Sequence, residues 1–219
     1  SSPSRGLGDV YKRQDIWSYI LINSTYTSDS LDEQTLLYMN RHLQDLDKFK
    51  EFLNDSYYFM FFVIEELENA KLPIELAFLP YIESNYDPFS ISSSGAVGMW
   101  QFMPRTGRTY DLKRSWWNED RHDPFKSTTA AIKYLKYLYE RFDQDLYLTL
   151  AAYNAGPSFL DRQIKRNQRR GLNTDYWSLD LPIQTRNYVP KFIAIKELII
   201  NSDQYDICLL YTSDAADDI

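Results

Sequence analysis

Apolar side chains recur at helical spacing along most of this chain. In residues 31–53 they fall about one helical turn apart with charged residues between them, and residues 56–70 continue the pattern. Alternation of apolar and polar positions, which is typical of strands, does not persist over any stretch. The pattern therefore predicts a helical pair in this part of the chain. Its apolar positions are Leu36, Leu37, Met39, Leu43, Leu46, Phe49 and Phe52 in the first segment and Tyr57, Met60, Phe61, Ile64 and Leu67 in the second.

Capping residues and prolines mark further helices. Asp123 followed by Pro124 predicts the start of the clearest one, because an acceptor side chain and a proline both suit the first turn. A second helix is predicted over about 145–154, and Pro157 can begin the next one. The last helix is predicted over about 182–201, even though this range contains a proline.

One more helix is predicted to lead into Glu83. Pro73 suits its first turn, whereas Pro80 inside the run is expected to kink the helix or end it early. Residues 15–204 contain no repeat, no low-complexity linker and no block of like charges. We therefore predict one all-α domain over 15–204, with the N-terminal helical pair packed against it.

Composition excludes several function classes. The chain has 219 residues, is 44% hydrophobic and carries a net charge of −7, which argues against a nucleic-acid partner. No apolar run approaches the roughly 18 residues that a membrane span needs. The two histidines, His42 and His122, are too few and too scattered for a metal site, and no organic cofactor is implied. The single cysteine, Cys208, excludes an internal disulfide. The oligomeric state stays open.

The two ends differ from the rest of the chain. Residues 1–14 show no apolar periodicity, and residues 205–219 break away from the helical pattern before them. Both resemble translated read-through of sequencing adapters, so we expect 1–14 and 205–219 to be non-native or disordered tails. No signal sequence or lipid anchor is visible in the chain, and non-native ends would make that uninformative.

Glu83 is the first candidate for chemistry. It ends one of the most apolar stretches of the chain, 76–82, and a turn rich in serine and glycine follows at 92–95. Burial among apolar neighbours raises the pKa of a carboxyl group, so that it can still donate a proton near neutral pH. The alternative is a glutamate that reaches the surface at a helix end and has only a structural place.

Three further segments accompany the one that contains Glu83, and together the four resemble the catalytic domain of lytic transglycosylases. They are Ile82-Glu83-Ser84-Asn85-Tyr86-Asp87-Pro88, Gly95-Ala96-Val97-Gly98-Met99-Trp100-Gln101-Phe102-Met103-Pro104, Ala151-Ala152-Tyr153-Asn154-Ala155-Gly156 and Thr185-Arg186-Asn187-Tyr188-Val189-Pro190. Their order and spacing match the soluble lytic murein transglycosylase superfamily, and most closely its membrane-bound D type. The resemblance covers roughly residues 35–200.

This resemblance implies a lysozyme-like helical fold that cleaves the β-1,4 bond between N-acetylmuramic acid and N-acetylglucosamine in peptidoglycan glycan strands. Glu83 would act first as an acid and then as a base, and the product would carry a 1,6-anhydro ring. It also implies a location in the bacterial periplasm or cell envelope. The substrate-binding residues that it implies are Ser92, Ser94, Gln101, Tyr153, Asn154 and Tyr188.

Two positions depart from the family pattern. Gln184 stands where the D type usually has glutamate, and Asp111 stands where glycine is common. Two other functions stay open. A hydrolytic muramidase would need a second carboxylate, for which Asp87 suits a turn better, and Glu119, Asp120 and Asp123 precede a helix where acids cap. A catalytically silent peptidoglycan-binding or scaffolding domain is the other.

Overall fold

The computed structural model describes residues 16–24 and 31–207. Within them the chain forms ten α-helices and four short 3-10 helices, with β-structure limited to isolated bridges, so the predicted all-α class is confirmed. The α-helices are α1 (Ile16–Asn23), α2 (Glu33–Gln44), α3 (Leu46–Ala70), α4 (Leu79–Ser84), α5 (Pro104–Thr109), α6 (Pro124–Arg141), α7 (Leu146–Ala155), α8 (Pro157–Arg169), α9 (Ile183–Arg186) and α10 (Tyr188–Ile200). The 3-10 helices are Ile74–Phe78, Asp120–His122, Tyr176–Ser178 and Ser202–Tyr205.

The helix starts that local capping predicts are confirmed. The carboxylate of Asp123 accepts hydrogen bonds from the backbone N–H groups of Phe125 and Lys126 at the start of α6. Asp145 caps α7 in the same way, by accepting from the N–H of Leu148. The next helix, α8, begins at Pro157. The predicted helix starts are correct because each cap bond joins residues within three positions of one another.

The predicted amino-terminal pair is present as α2 and α3, but its boundary was placed wrongly. The break lies at Asp45, whose backbone leaves the helical region and whose N–H bonds to the His42 carbonyl. Residues 54–55, where the pattern was divided, lie inside α3, because its buried face continues without interruption through Leu53 and Ser56. A shift of helical face in the sequence does not by itself end a helix.

The two predicted helices that contain prolines are each divided in the structure. Before Glu83 the chain forms the 3-10 helix Ile74–Phe78, and Pro80 then lies in the first turn of α4, where its missing N–H has no partner to lose. The range 182–201 is divided at Asn187 into α9 and α10. Pro190 offers no N–H to the Arg186 carbonyl.

The core forms around α10. Ten of its thirteen residues are buried, including Val189, Phe192, Ala194 and Leu198, so it has no polar face. It packs against α2, α4 and α7, while α3 packs against α6, and α6 against α7. The buried helix α10 thus brings the predicted site segments and the amino-terminal pair together.

Some of the predicted tails lie outside the described residues, namely 1–14 and 208–219. Of the predicted tail 205–219, the structure describes 205–207, and Ile207 is buried against the core. None of the helices in the described part of the chain combines the length and apolar character that crossing a membrane requires.

Candidate active site

Glu83 lies in the last turn of α4 and lines a groove. After Ser84 the backbone turns sharply, because Asn85 and Tyr86 both adopt left-handed conformations with φ of 55° and 63°. A tyrosine in that region costs about 1 kcal/mol. The buried ring of Tyr86, whose hydroxyl donates to the Ala77 carbonyl, offsets this cost. The turn therefore holds the end of α4, and with it Glu83, in one place.

The surroundings of Glu83 change its acidity. Burial raises the pKa of this carboxyl from 4.5 to about 7, while a hydrogen bond from Tyr188 and the positive charge of Lys191 lower it by less. Tyr188 donates its hydroxyl hydrogen to Oε1 of Glu83. Protein atoms enclose most of the carboxyl, but the side chain stays partly exposed from the groove. A carboxyl with this pKa can both give and take a proton at neutral pH.

Tyr153 and Asn154 form one wall of the groove from the last turn of α7. The Tyr153 hydroxyl donates to the backbone carbonyl of Trp100 at 2.8 Å. Burial and the negative charge of Glu83 raise the pKa of Tyr153 well above its ordinary value, so it stays a neutral donor. The amide oxygen of Asn154 accepts from the Thr185 hydroxyl at 2.9 Å. These bonds tie the end of α7 to a loop on one side and to α9 on the other.

Tyr188 reaches Glu83 because the chain is interrupted between α9 and α10. The interruption makes Tyr188 the first residue of α10, and the carbonyl of Arg186 accepts instead from the Tyr176 hydroxyl at 2.7 Å. Burial and the charge of Glu83 raise the pKa of Tyr188 well above its ordinary value. Tyr188 is therefore a neutral hydrogen-bond donor held on a buried helix.

Ser92 and Ser94 approach the groove from the loop after α4. The hydroxyls of Ser92 and Ser94 are 3.0 Å apart, and Ser92 Oγ accepts from the N–H of Ala96 at 2.9 Å. Both serines line the same groove as Glu83. Their hydroxyls bond within the loop in this structure, and their predicted substrate-binding role stays a prediction.

Gln101 braces the loop that carries it. Its amide nitrogen donates to the Gly98 carbonyl at 2.9 Å, while its side chain also lines the groove. Gly98 has a φ of 82°, and a Cβ there would lie 1.8 Å from the Arg121 carbonyl oxygen. Only glycine fits this approach of two backbones. Gln101 thus has a structural place, and its predicted role toward an N-acetyl or hydroxyl group stays a prediction.

All seven predicted site residues line one cavity of about 320 Å³. Three helices and one loop supply them, so all four predicted segments meet at this cavity. Among residues 16–24 and 31–207, its lining contains no histidine, no cysteine and no carboxylate other than Glu83, and such a donor set does not suit a metal ion. The described residues that line it are Ile82, Glu83, Ser92, Ser94, Ala96, Gln101, Met103, Tyr153, Asn154, Gln184, Tyr188 and Lys191.

The other acids considered for a second carboxylate are engaged elsewhere. Asp87 accepts from the N–H of Phe89 in a turn, as predicted. Asp123 caps α6, also as predicted. The expectation that Glu119 and Asp120 cap a helix is wrong, since neither makes a side-chain cap bond there. Glu119 pairs instead with the guanidinium of Arg121, and Asp120 with Lys126 at 2.7 Å.

The two departures from the family pattern have different places. Gln184 lies in α9 and lines the groove, so it is next to the site. Asp111 has a φ of 65°, in the left-handed region where glycine is favoured and aspartate is tolerated better than most residues.

Lys191 is a groove residue that the sequence reading missed. It lies three residues after Tyr188 on α10, and its charge lowers the pKa of Glu83. Residues three apart on a helix share a face. Once Tyr188 was assigned to the site, that spacing could have pointed to Lys191.

Comparison with known proteins gives consistent results. The family model described as "Transglycosylase SLT domain" matches residues 60–175. The chain is 36% identical over 208 residues to membrane-bound lytic murein transglycosylase D of Escherichia coli (strain K12), covering 92% of this chain and 44% of that protein. It is 33% identical over 108 residues to membrane-bound lytic murein transglycosylase F of Alcanivorax borkumensis, covering 47% of this chain and 22% of that protein. The chain thus spans less than half the length of these relatives.

Two solved structures share the fold. A structure of an inactive mutant of lytic transglycosylase Slt from Pseudomonas aeruginosa superposes with a TM-score of 0.52 at 23% identity, covering 65% of this chain and 24% of that one. The 70 kDa soluble lytic transglycosylase from Escherichia coli gives 0.51 at 15% identity, covering 90% of this chain and 34% of that one. Identities this low bear on the fold alone, and the predicted lysozyme-like fold is confirmed.

Proposed function

The chain belongs to the transglycosylase SLT family, and on that premise we propose that it is a lytic transglycosylase that cleaves the β-1,4 bond between N-acetylmuramic acid and N-acetylglucosamine in peptidoglycan. The observation that supports the proposal is that Glu83 lines the groove with a raised pKa. Its pKa of about 7 and its partial exposure in a groove suit a group that must transfer a proton in both directions.

In the first step, protonated Glu83 donates its proton to the glycosidic oxygen. The bond from that oxygen to C1 of the muramyl sugar then breaks, and the N-acetylglucosamine part leaves with a new hydroxyl group. The hydrogen bond from Tyr188 stabilises the carboxylate that Glu83 has become, as its lowering effect on the pKa indicates. The buried environment meanwhile keeps this anion a strong enough base for the next step.

In the second step, the C6 hydroxyl of the same muramyl sugar attacks C1. Its proton passes to Glu83, which returns to its protonated form, and a 1,6-anhydro ring closes. An attack within one molecule has a high effective concentration, so it needs no second protein carboxylate to hold a water. Glycosidases that use water or a covalent intermediate place two carboxylates about 5–10 Å apart. Glu83 is the only acid among the described residues that line the groove, which supports the intramolecular route.

The remaining polar groups of the groove suit a sugar substrate. We propose that Ser92, Ser94, Gln101 and Asn154 offer hydroxyl and amide groups to the N-acetyl and hydroxyl groups of the glycan. Tyr153 adds a ring and a fixed hydroxyl at the wall. Because peptidoglycan lies in the cell envelope and the relatives carry "membrane-bound" in their names, we propose an envelope location.

Product analysis tests the proposal. Purified murein is digested with the wild-type chain and with Glu83→Gln, and the fragments are identified by mass spectrometry. We expect 1,6-anhydro ends from the wild type and no release by Glu83→Gln. Reducing ends alone would establish a hydrolytic muramidase, and no release by either protein would favour a silent binding domain in which Gln184 has altered the site.

A further inference from the structure

A second pocket adjoins the groove on the side of α2. It has a volume of about 210 Å³ and shares Ile82 and Lys191 with the groove that contains Glu83. Helix α2 lies outside residues 60–175, the part of the chain that the family model matches. Its lining consists of Tyr38, Arg41, His42, Tyr81, Ile82, Asn85, Lys191 and Ile195.

Two positive charges lie over one aromatic ring in this pocket. The guanidinium carbon of Arg41 is 5.3 Å from the centre of the Tyr38 ring, and the Lys191 ammonium is 5.5 Å from it. Cation–π contacts attract each charge to the ring but leave hydrogen-bond donors available. Within 16–24 and 31–207, no carboxylate lines the pocket and neither cation forms a salt bridge. Two cations beside one ring, in a lining without a described carboxylate, favour an anion over a cation as the ligand of this pocket.

The rest of the lining combines the apolar side chains of Ile82 and Ile195 with His42, Tyr81 and Asn85. The His42 ring contacts the rings of Phe49 and Tyr81, and its Nδ1 is 3.0 Å from the Tyr81 hydroxyl. Burial lowers the pKa of His42, so its ring is neutral at pH 7. Because α2 packs directly on α10, the parts of the pocket that they carry are fixed relative to each other. A ligand would therefore bind without having to order the walls.

We propose that this pocket binds a carboxylate on the peptide branch that muramyl sugars of peptidoglycan carry. The proposal rests on the proposed function. The two cations match a carboxylate, the rings of Tyr38 and Tyr81 match the short apolar chain that bears it, and the shared lining at Ile82 and Lys191 makes the pocket continuous with the groove. The branch of a sugar bound beside Glu83 can then enter the pocket while its glycan occupies the groove.

The test compares glycan fragments that differ only in charge. One set carries peptides with free carboxylates, and the other carries the same peptides with the carboxylates converted to amides. The variant is Arg41→Met, because Arg41 is exposed and does not line the groove, whereas Lys191 also acts on Glu83. The matched control is Arg162→Met, an exposed arginine on α8 whose guanidinium lies 5.8 Å from the Phe159 ring centre, away from both pockets.

For wild type and Arg162→Met we expect KM to be roughly three- to tenfold lower for the carboxylate fragments than for the amides, with similar kcat. Arg41→Met should show equal KM values for the two sets. Equal KM values for the two sets in the wild type would show that the pocket does not bind the carboxylate. If neither fragment is turned over, the proposed function fails, and binding of both sets to Glu83→Gln decides the pocket separately. If Glu83→Gln binds the carboxylate set more tightly than the amide set, and adding Arg41→Met removes that preference, the pocket binds the carboxylate. If Glu83→Gln binds both sets equally, the pocket does not bind it.

Discussion

Two carboxylates of this molecule, Glu83 and Asp120, are both largely removed from water, yet their acidities move in opposite directions. Burial raises the pKa of Glu83 to about 7, and one tyrosine hydroxyl and the charge of Lys191 only partly counter it. Burial also raises the pKa of Asp120, but hydrogen bonds from Lys126, Asn118 and the backbone N–H of Lys113 lower it by more. The net pKa of Asp120 is below its ordinary value.

The difference shows that burial by itself does not make an acid reactive. Asp120 is compensated by a cation and two N–H donors, so it stays charged and ties Lys113 and Asn118 to the start of α6 through Lys126. Glu83 has too few donors to stay fully charged at neutral pH, since its pKa is about 7. Under the proposed function, the incompletely compensated Glu83 transfers the proton, and the fully compensated Asp120 supports the fold.

The largest expected effect separates the two sites directly. Glu83→Gln should lower kcat by about 10³- to 10⁴-fold, because the proton donor is lost, and should leave the fold intact. Asp120→Asn should lower the free energy of unfolding by about 2 kcal/mol, because a charged acceptor is lost, and should leave kcat within a few-fold of the wild type. Turnover of murein and urea denaturation measure the two quantities on the same preparations.

The opposite result would contradict the assigned difference between Glu83 and Asp120. A Glu83→Gln variant that unfolds, or an Asp120→Asn variant that is stable and inactive, would mean that the roles are assigned the wrong way round. Circular dichroism of each variant separates loss of turnover from loss of fold.

The next largest effect concerns Tyr188, whose hydroxyl donates a hydrogen bond to the carboxyl of Glu83. Tyr188→Phe removes the hydroxyl that lowers the pKa of Glu83, so that pKa should rise and kcat should fall by about tenfold as the carboxyl loses its orientation. Activity that is lost as Glu83 deprotonates should then be lost at higher pH than in the wild type. A pH profile of kcat/KM measures the shift.

Tyr134→Phe is the control for that profile, because Tyr134 packs on the Tyr153 ring but does not line the groove. Its profile should coincide with that of the wild type. An equal shift in both variants would show that Tyr188 acts only through general packing.

The smallest expected effect is on the pH dependence of stability. The folded-state pKa of Glu83 lies above its ordinary value of 4.5, so its charge destabilises the fold increasingly as pH rises from 4.5 to about 7. Glu83→Gln should therefore be as stable as the wild type below pH 4.5 and more stable by about 1–2 kcal/mol above pH 7, a figure reduced for the partial exposure of the groove.

Asp120→Asn should show the opposite slope. The pKa of Asp120 is lowered, so its contribution to stability is present above its ordinary pKa of 3.8 and is lost as pH falls through its folded-state pKa. Urea denaturation of both variants at several pH values tests this. Parallel pH dependences for the two variants would contradict the difference in charge compensation.

Much of the fold could be predicted from the sequence where the cause is local. The starts of α6, α7 and α8 depend on Asp123, Asp145 and Pro157, which act within a few residues. The break at Asp45 and the division at Asn187 were missed. Asp45 makes no side-chain cap bond to α3, and the free carbonyl of Arg186 is satisfied by Tyr176, which comes from another part of the chain.

The sequence by itself determined the helical class and the seven residues that share the groove. Only the tertiary structure decided their surroundings: that Tyr188 bonds Glu83 across a separation of 105 residues, that Lys191 stands beside them, and that α2 completes a second pocket. The physical reason is that periodicity and capping act between near neighbours. Burial and charge compensation, which set the pKa of Glu83, arise when α10 packs between α2, α4 and α7.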